Sequence, residues 1–334
     1  MISSQSIDVV GGSGFIGTRL CDRLKRNPNI SFKIIDKAMS SAHPNESNIG
    51  DVRNPSDLLQ HLTGESILIN LAAEHRDDVR PLSLYDEVNV EGAKNICHAA
   101  RKKNIQTIIF TSTVAVYGFA CVETNESGII SPFNDYGRTK YLAENVYREW
   151  YAEDEDNRTL VIIRPTVVFG EKNRGNVYNL LKQIASGKFV MIGDGANRKS
   201  MAYVENVCAF IEYCIGFKTG VYTYNFIDKP DFTMNGLVVN VRMTLGMHKK
   251  SLIRIPFELG YAIGKVCDLL AFLSKKKLTI SSVRVKKFCS NSVFNTSISE
   301  TGFISPVTIK DALRKTVSYE FLESHADSDI FYTE

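Results

Sequence analysis

"VVGGSGFIG", Val9 to Gly17, decides how this chain folds. A β-branched run, Ile7 to Val10, leads into it, and a helical pattern leads out of it. Gly11, Gly14 and Gly17 permit a tight turn, let backbone approach a pyrophosphate, and let the helix pack closely on the strand. The anion then sits at the helix N-terminus, where free N–H groups and the helix dipole favour negative charge. Glycine-rich turns are common, and the position of this one between strand and helix is what gives the spacing meaning.

Working outward, the same alternation recurs. "FKIID" (Phe32 to Asp36), "ILINLAA" (Ile67 to Ala73), "TIIFTS" (Thr107 to Ser112) and "TLVIIRP" (Thr159 to Pro165) read as buried parallel strands. Helix-length segments, Pro81 to Lys103 and Tyr136 to Tyr151 among them, lie between. The implied class is α/β: a doubly wound parallel Rossmann sheet. Beyond Pro165 the pattern loosens into segments broken by Gly, Asn and Pro. Residues 1–165 are therefore expected to form the NAD-binding domain, with later segments returning to it. Residues 166–334 are expected to form mainly a smaller, interleaved substrate lobe.

Composition removes several function classes. A net charge of +3 over 334 residues, without a basic stripe, argues against nucleic acid. Seven cysteines, an odd count with no CxxC pair, suit reduced thiols better than a disulfide framework. Six scattered histidines form no ligand cluster, so no metal is expected. "MISSQSIDVVGG" lacks the basic region and apolar run of a signal peptide, and no run is apolar enough to span a bilayer. The expected location is the cytoplasm.

Asp36 closes the second strand about 20 residues after the glycines, where a carboxylate binds both hydroxyls of an adenosine ribose. The same charge repels the extra phosphate of NADP, so NAD is favoured. "FNDYGRTKYLAEN" places Tyr136 and Lys140 four residues apart on a helix, hence on one face. An adjacent ammonium stabilises a phenolate and lowers the tyrosine pKa, giving a group able to accept a hydroxyl proton near neutral pH. Thr113, in "FTSTVAVYG", supplies a hydroxyl to hold the reacting oxygen.

Together the glycines, Asp36, "GDVR" (Gly50 to Arg53), "LAAEH" (Leu71 to His75), "NVEG" (Asn89 to Gly92), "TSTVAVYG", the Tyr136/Lys140 pair and "RPTVVFG" (Arg164 to Gly170) resemble the extended short-chain dehydrogenase/reductase family. The resemblance covers essentially the whole chain. It implies that Phe15, Ile16, Asp36, Asp51, Val52, Leu71, Ala72, Ala73 and Asn89 line the NAD site, and that Thr113, Tyr136 and Lys140 do the chemistry. Lys140 also touches the nicotinamide ribose in such proteins. Family 4,6-dehydratases place an Asp-Glu pair after the threonine; here Val114 and Ala115 follow Thr113, so elimination is not expected. Epimerisation at C4 or simple oxidoreduction remains.

Members acting on nucleotide diphosphate sugars commonly carry an Arg-Asp pair where this chain has Lys199 and Ser200. Lysine meets a diphosphate as a point charge without the bidentate fork of arginine. "LAAEHRDDV", "FGEKNRGNVYNLLKQIASGKF", "NRKSMAYVEN" and "ISSVRVKKFC" resemble, more closely, a bacterial branch of 4-epimerases. Those enzymes act on N-acetylglucosamine carried on undecaprenyl diphosphate, for surface polysaccharide such as O-antigen. The resemblance implies Asn176 and Lys199 at the diphosphate sugar, a homodimer, and peripheral contact with the inner membrane. The competing readings are a soluble UDP-glucose or UDP-N-acetylglucosamine 4-epimerase, an NAD(P)-dependent sugar reductase, and a non-catalytic NAD-binding subunit that has no need of the trio.

"PFELGYAIGKVCDLLAFLSKKK", Pro256 to Lys277, bears on the membrane question. Glu258, Tyr261, Lys265 and Asp268 share one helical face, and Leu259, Ile263, Val266, Leu270 and Leu273 form the opposite stripe. Such a helix is either core to the small lobe or lies in a bilayer interface, with Lys275, Lys276 and Lys277 facing anionic head groups.

Overall fold

The computed structural model describes residues 5–76, 79–119, 123–247, 252–274, 281–325 and 329–332. In chain order the strands are β1 (Gln5–Val10), β2 (Ile30–Asp36), β3 (Ser47–Ile49), β4 (Ile67–Asn70), β5 (Thr107–Thr111) and β6 (Thr159–Pro165). They continue with β7 (Val167–Phe169), β8 (Val190–Ile192), β9 (Arg198–Tyr203), β10 (Gly220–Phe226), β11 (Asp228–Thr233) and β12 (Ile253–Ile255). The helices are α1 (Phe15–Leu24), α2 (Pro55–His61), α3 (Ser83–Tyr85), α4 (Gly92–Lys102), α5 (Asp135–Ala152) and α6 (Asn176–Ala185). The rest are α7 (Val204–Cys214), α8 (Met234–Thr244), α9 (Phe257–Ser274), α10 (Ser282–Cys289) and α11 (Ile309–Phe321).

Seven strands form one parallel sheet in the order β10-β6-β5-β4-β1-β2-β3. Alternating side chains feed two apolar layers, as the two-residue strand period requires. Ile7, Ile69, Ile109 and Val161 enter a core with Leu20 of α1, Ile211 of α7 and Leu313 of α11. Val10, Leu68, Ile108 and Leu160 enter the other, with Leu58 of α2, Ile96 of α4 and Trp150 of α5. Helices thus cover both faces, and the central strands β4, β5 and β6 are mainly apolar because neither of their faces meets water.

The edge strand β10 comes from beyond residue 165, and α7, from the same stretch, packs on α1. The stretch beyond residue 165 also forms the three-stranded sheet β11-β9-β7 and the pair β12-β8. Two sequence readings change in extent. "ILINLAA" is a strand only to Asn70, after which Leu71 to Ala73 leave the sheet. The Pro81 to Lys103 segment is interrupted by a π-helical turn, Asp86–Glu91, that carries Asn89.

Within the Pro256 to Lys277 segment, Phe257–Ser274 is helical as α9, and it is not a core helix. Among its described side chains the buried residues are glycines: a side chain on Gly260 would meet Ile192 at 2.5 Å, and one on Gly264 would meet Ser282 backbone at 2.7 Å, while the Leu273 side chain lies outside the described residues. Seated by these glycines, α9 turns its apolar stripe outward, with Leu259, Ile263, Val266, Leu269, Leu270 and Phe272 all exposed. Lys275 to Lys277 lie outside the described residues.

Candidate active site

The carboxyl ends of β1, β2, β4 and β5 bring together Gly11, Asp36, Leu71 to Ala73 and Thr113, on one edge of the sheet. Ligands of doubly wound sheets bind at this edge. At Gly11 the backbone takes φ +80°, and a Cβ there would sit 2.5 Å from the Ala72 nitrogen. At Gly17 a Cβ would meet Gly12 Cα at 2.5 Å, so helix and turn touch backbone to backbone. The first intrahelical bond of α1 runs from Thr18 N–H to Gly14 carbonyl, and no side chain caps the helix. The N–H groups of Phe15, Ile16 and Gly17 precede that bond and suit an anion.

Asp36 stands beside this turn. Its Oδ2 accepts from Ser13 N–H at 3.0 Å and its Oδ1 from Ala38 N–H at 3.2 Å, which fixes the carboxylate and leaves lone pairs for a diol. An uncapped helix start, a glycine cradle and a fixed carboxylate together fit a dinucleotide.

The flanking residues are held as firmly. Arg53 grips the Asp51 carboxylate through its backbone N–H and guanidinium and holds it below the usual carboxylate range. Val52 is buried against Gly92. Ala72 N–H donates to Asn70 Oδ1, and buried Asn89 bonds both the N–H and carbonyl of Glu74, fixing the stretch that follows Ala73.

Thr113 is buried and begins the turn Val114–Tyr117, accepting from Ala115 N–H at 3.1 Å. The Tyr136 side chain is hydrogen-bonded to Thr113. Asn134 caps α5 by accepting from Gly137 N–H at 2.9 Å, placing Tyr136 in the first, electropositive turn. Lys140, one turn on, is 2% exposed with its Nζ 4.2 Å from the Phe110 ring centre.

The pKa of Tyr136 departs from the sequence expectation. Burial pushes its phenol up to about 12, a rise that the Thr113 hydrogen bond only partly opposes. Lys140 is pushed down to about 7, again by burial, with the Glu144 charge opposing. Removal of water penalises both the phenolate and the ammonium, and it is the largest influence on each.

Behind the trio lies a buried polar cluster whose pairing the sequence left unread. Glu144, fully buried on α5, accepts from Ser112 Oγ at 2.5 Å and from both Arg164 Nε (2.8 Å) and Nη2 (2.5 Å). Arg164 Nη1 donates to the Tyr117 hydroxyl at 2.6 Å, which donates to Asn225 Oδ1 at 2.8 Å. This chain ties β6 and β10 to the residue before Thr113 and to the helix that carries Tyr136 and Lys140.

The two substrate candidates fare differently. Asn176 stands exposed as the first residue of α6. Lys199, on β9, donates to the carbonyls of Lys287 (2.9 Å) and Ser290 (2.6 Å), and burial lowers its pKa to about 8. It caps the C-terminal end of α10 instead of presenting a free charge to a diphosphate.

Known proteins resemble this chain in sequence and fold. The model of the NAD dependent epimerase/dehydratase family matches residues 7–224. The N-acetyl-alpha-D-glucosaminyl-diphospho-ditrans,octacis-undecaprenol 4-epimerase of Escherichia coli O157:H7 is 46% identical over 333 residues, covering 99% of this chain and 100% of that one. Among solved structures, UDP-N-acetylglucosamine 4-epimerase from Bacillus cereus superposes with TM-score 0.74 at 16% identity, over 98% of this chain and 100% of its own. UDP-glucuronic acid 4-epimerase from Bacillus cereus in complex with NAD gives TM-score 0.70 at 18% identity, over 94% and 98%. At such identities the structural likeness speaks to the fold.

Proposed function

We propose the reaction from one premise: the chain belongs to the NAD dependent epimerase/dehydratase family. It is an NAD-dependent sugar 4-epimerase, and the observation that carries this is 46% identity, end to end, with a 4-epimerase. Its substrate is N-acetylglucosamine, or its 4-epimer, on undecaprenyl diphosphate. The full-length relative and the absence of the Arg-Asp pair at Lys199 and Ser200 support that choice over a nucleotide sugar.

Tyr136 takes the proton of the sugar C4 hydroxyl, and Thr113, bonded to it, holds the same oxygen. Bound NAD⁺ supplies the hydride acceptor and donor for C4 and a positive charge near the catalytic pair. Burial holds the Tyr136 phenol above its ordinary range in the protein alone, and a bound cationic ring would oppose that rise. The α5 N-terminus and the Lys140 ammonium act in the same direction. Oxidation at C4 and return on the other face invert the centre with no further acid or base. The residues after Thr113, Val114 and Ala115, offer none for elimination.

The outward stripe of α9 supports peripheral attachment to the bilayer that holds such a substrate. No helix among the described residues is long and apolar enough to cross a membrane. Exposed Leu269 (58%), Leu270 (51%) and Phe272 (80%) suit insertion at an interface.

The function is tested by offering purified protein UDP-N-acetylglucosamine and polyprenyl-diphosphate N-acetylglucosamine separately and measuring the 4-epimer. Turnover of the nucleotide sugar alone overturns the substrate assignment, and net consumption of NAD(P)H overturns the epimerase. Replacing Leu269, Leu270 and Phe272 by Ser should abolish sedimentation with anionic vesicles. Unchanged sedimentation, or conversion of a dimer to a monomer with no vesicle binding in the parent, assigns that face otherwise.

A further inference from the structure

Close in sequence to Thr113 and Tyr136, two phenylalanines are partly exposed. Phe119 and Phe133 stack with ring centres 4.5 Å apart and an interplanar angle of 28°. They are 59% and 46% exposed. Their placement is fixed by the backbone: Ser131 N–H donates to the Val116 carbonyl at 3.0 Å, and at Gly118 (φ +70°) a side chain would collide with the Ser131 carbonyl. Phe133 immediately precedes Asn134, the cap of α5, and Phe119 follows the turn that Thr113 begins. The pair therefore lies on the rim of the Thr113–Tyr136 site.

A cation stands over the same surface. Lys287 Nζ is 5.3 Å from the Phe133 ring centre, and no carboxylate among the described residues pairs with it. The backbone of Lys287 is held in place by the bond from Lys199 to its carbonyl. So the lysine that the sequence offered for a diphosphate instead positions the residue whose ammonium remains available. On its other side α10 packs against α9: Asp268 accepts from Ser282 N–H at 3.2 Å and from Ser282 Oγ at 2.5 Å. Val283, 66% exposed, lies on α10 between these two contacts. Val283 thus stands among the exposed Arg284, Lys286 and Lys287, so α10 carries a mixed basic and apolar face between α9 and Phe133.

We propose that this shelf receives the start of the substrate's prenyl chain: Lys287 meets the diphosphate, and Phe119 and Phe133 carry the first isoprene units out of the site. The proposal rests on the lipid-linked reading above. An anion followed by branched hydrocarbon needs a cation beside apolar surface, and Lys287 over the exposed Phe133 ring presents both together. Exposed aromatic pairs beside a polar site are otherwise costly to solubility and mark binding surfaces. The competing occupant is a nucleobase stacked on the phenylalanines.

The test uses water-soluble probes without vesicles or detergent, so that membrane attachment plays no part. The probes are N-acetylglucosamine on geranyl diphosphate, N-acetylglucosamine on methyl diphosphate, and UDP-N-acetylglucosamine. For the parent enzyme KM should be about tenfold lower for the geranyl than for the methyl probe, from burial of part of the chain on the shelf. In the Phe119→Ser/Phe133→Ser double variant that ratio should fall to about one, with retained NAD reporting the fold. Lys287→Gln should raise KM for both diphosphate probes by a similar factor, leaving their ratio near the parent value. A parent that does not distinguish geranyl from methyl, or a double variant that loses equally on both, overturns the proposal while leaving the 4-epimerase intact. A loss confined to UDP-N-acetylglucosamine assigns the shelf to a base. Failure to turn over either diphosphate probe, with UDP-N-acetylglucosamine active, refutes the lipid-linked reading itself.

Discussion

Glu144→Gln should cost this protein both stability and turnover, because it leaves a guanidinium buried without its counter-charge. Arg164 is 3% exposed and Glu144 is fully buried, with the pair bonded through two contacts of 2.8 and 2.5 Å. Removing one member of such a pair typically costs about 3–5 kcal/mol. Arg164 keeps the Tyr117 hydroxyl and lies over its ring, 5.1 Å from the centre, so the lower figure of about 3 kcal/mol applies. For a chain of this size about 2 °C of melting temperature accompanies each kcal/mol, so a fall of about 6 °C is expected by calorimetry. Glu144→Leu with Arg164→Met removes both charges and should restore part of that loss, as buried pairs replaced by apolar residues commonly do. Turnover should fall in kcat more than it changes KM, since Ser112 adjoins Thr113 and α5 carries Tyr136. A Glu144→Gln melting point within 1 °C or so of the parent, or a double variant that loses the sum of the singles, refutes the reasoning.

Other outcomes follow from the same geometry. Tyr136→Phe keeps the ring and loses the proton acceptor, so turnover should fall roughly 10²–10⁴-fold with NAD retained; near-normal turnover removes Tyr136 from the mechanism. Asp36→Ala frees Ser13 N–H and removes the ribose acceptor, and should reduce the preference for NAD over NADP in a cofactor titration. Burial lowers Lys140 from 10.5 to about 7, so between those values the unfolded chain binds more protons than the folded one. Stability of the cofactor-free protein should therefore rise from pH 7 toward pH 10 relative to Lys140→Met, and parallel pH profiles for the two would contradict a buried, easily deprotonated lysine.

Much of the cofactor end was legible because its signals are local. The turn at Gly11 to Gly17, the carboxylate at the end of β2 and the Tyr136/Lys140 spacing each depend on residues within a few positions of one another, and backbone geometry leaves them few alternatives. The alternation of apolar strands and helices carried the layering for the same reason. Lys199 shows the opposite case. Its sequence position points to a diphosphate, but its ammonium is bonded to carbonyls 88 and 91 residues away, and nothing local announces that. The Phe119–Phe133 shelf is likewise invisible until two loop segments are laid side by side.

What the sequence by itself determined, then, is the parallel sheet and the glycine turn, set by short-range periodicity and steric necessity, while the trio Thr113, Tyr136 and Lys140 is a proposal that the family resemblance carries. Only the tertiary structure decided which charges neutralise one another, as Glu144 and Arg164 do from different elements 20 residues apart. It also decided which face of α9 turns outward. Apolar residues line much of that helix, and its orientation is fixed by where two glycines meet Ile192 and Ser282. The direction in which Tyr136 and Lys140 titrate belongs to the same class, because desolvation depends on how much protein surrounds a group, and spacing along a helix does not contain that quantity.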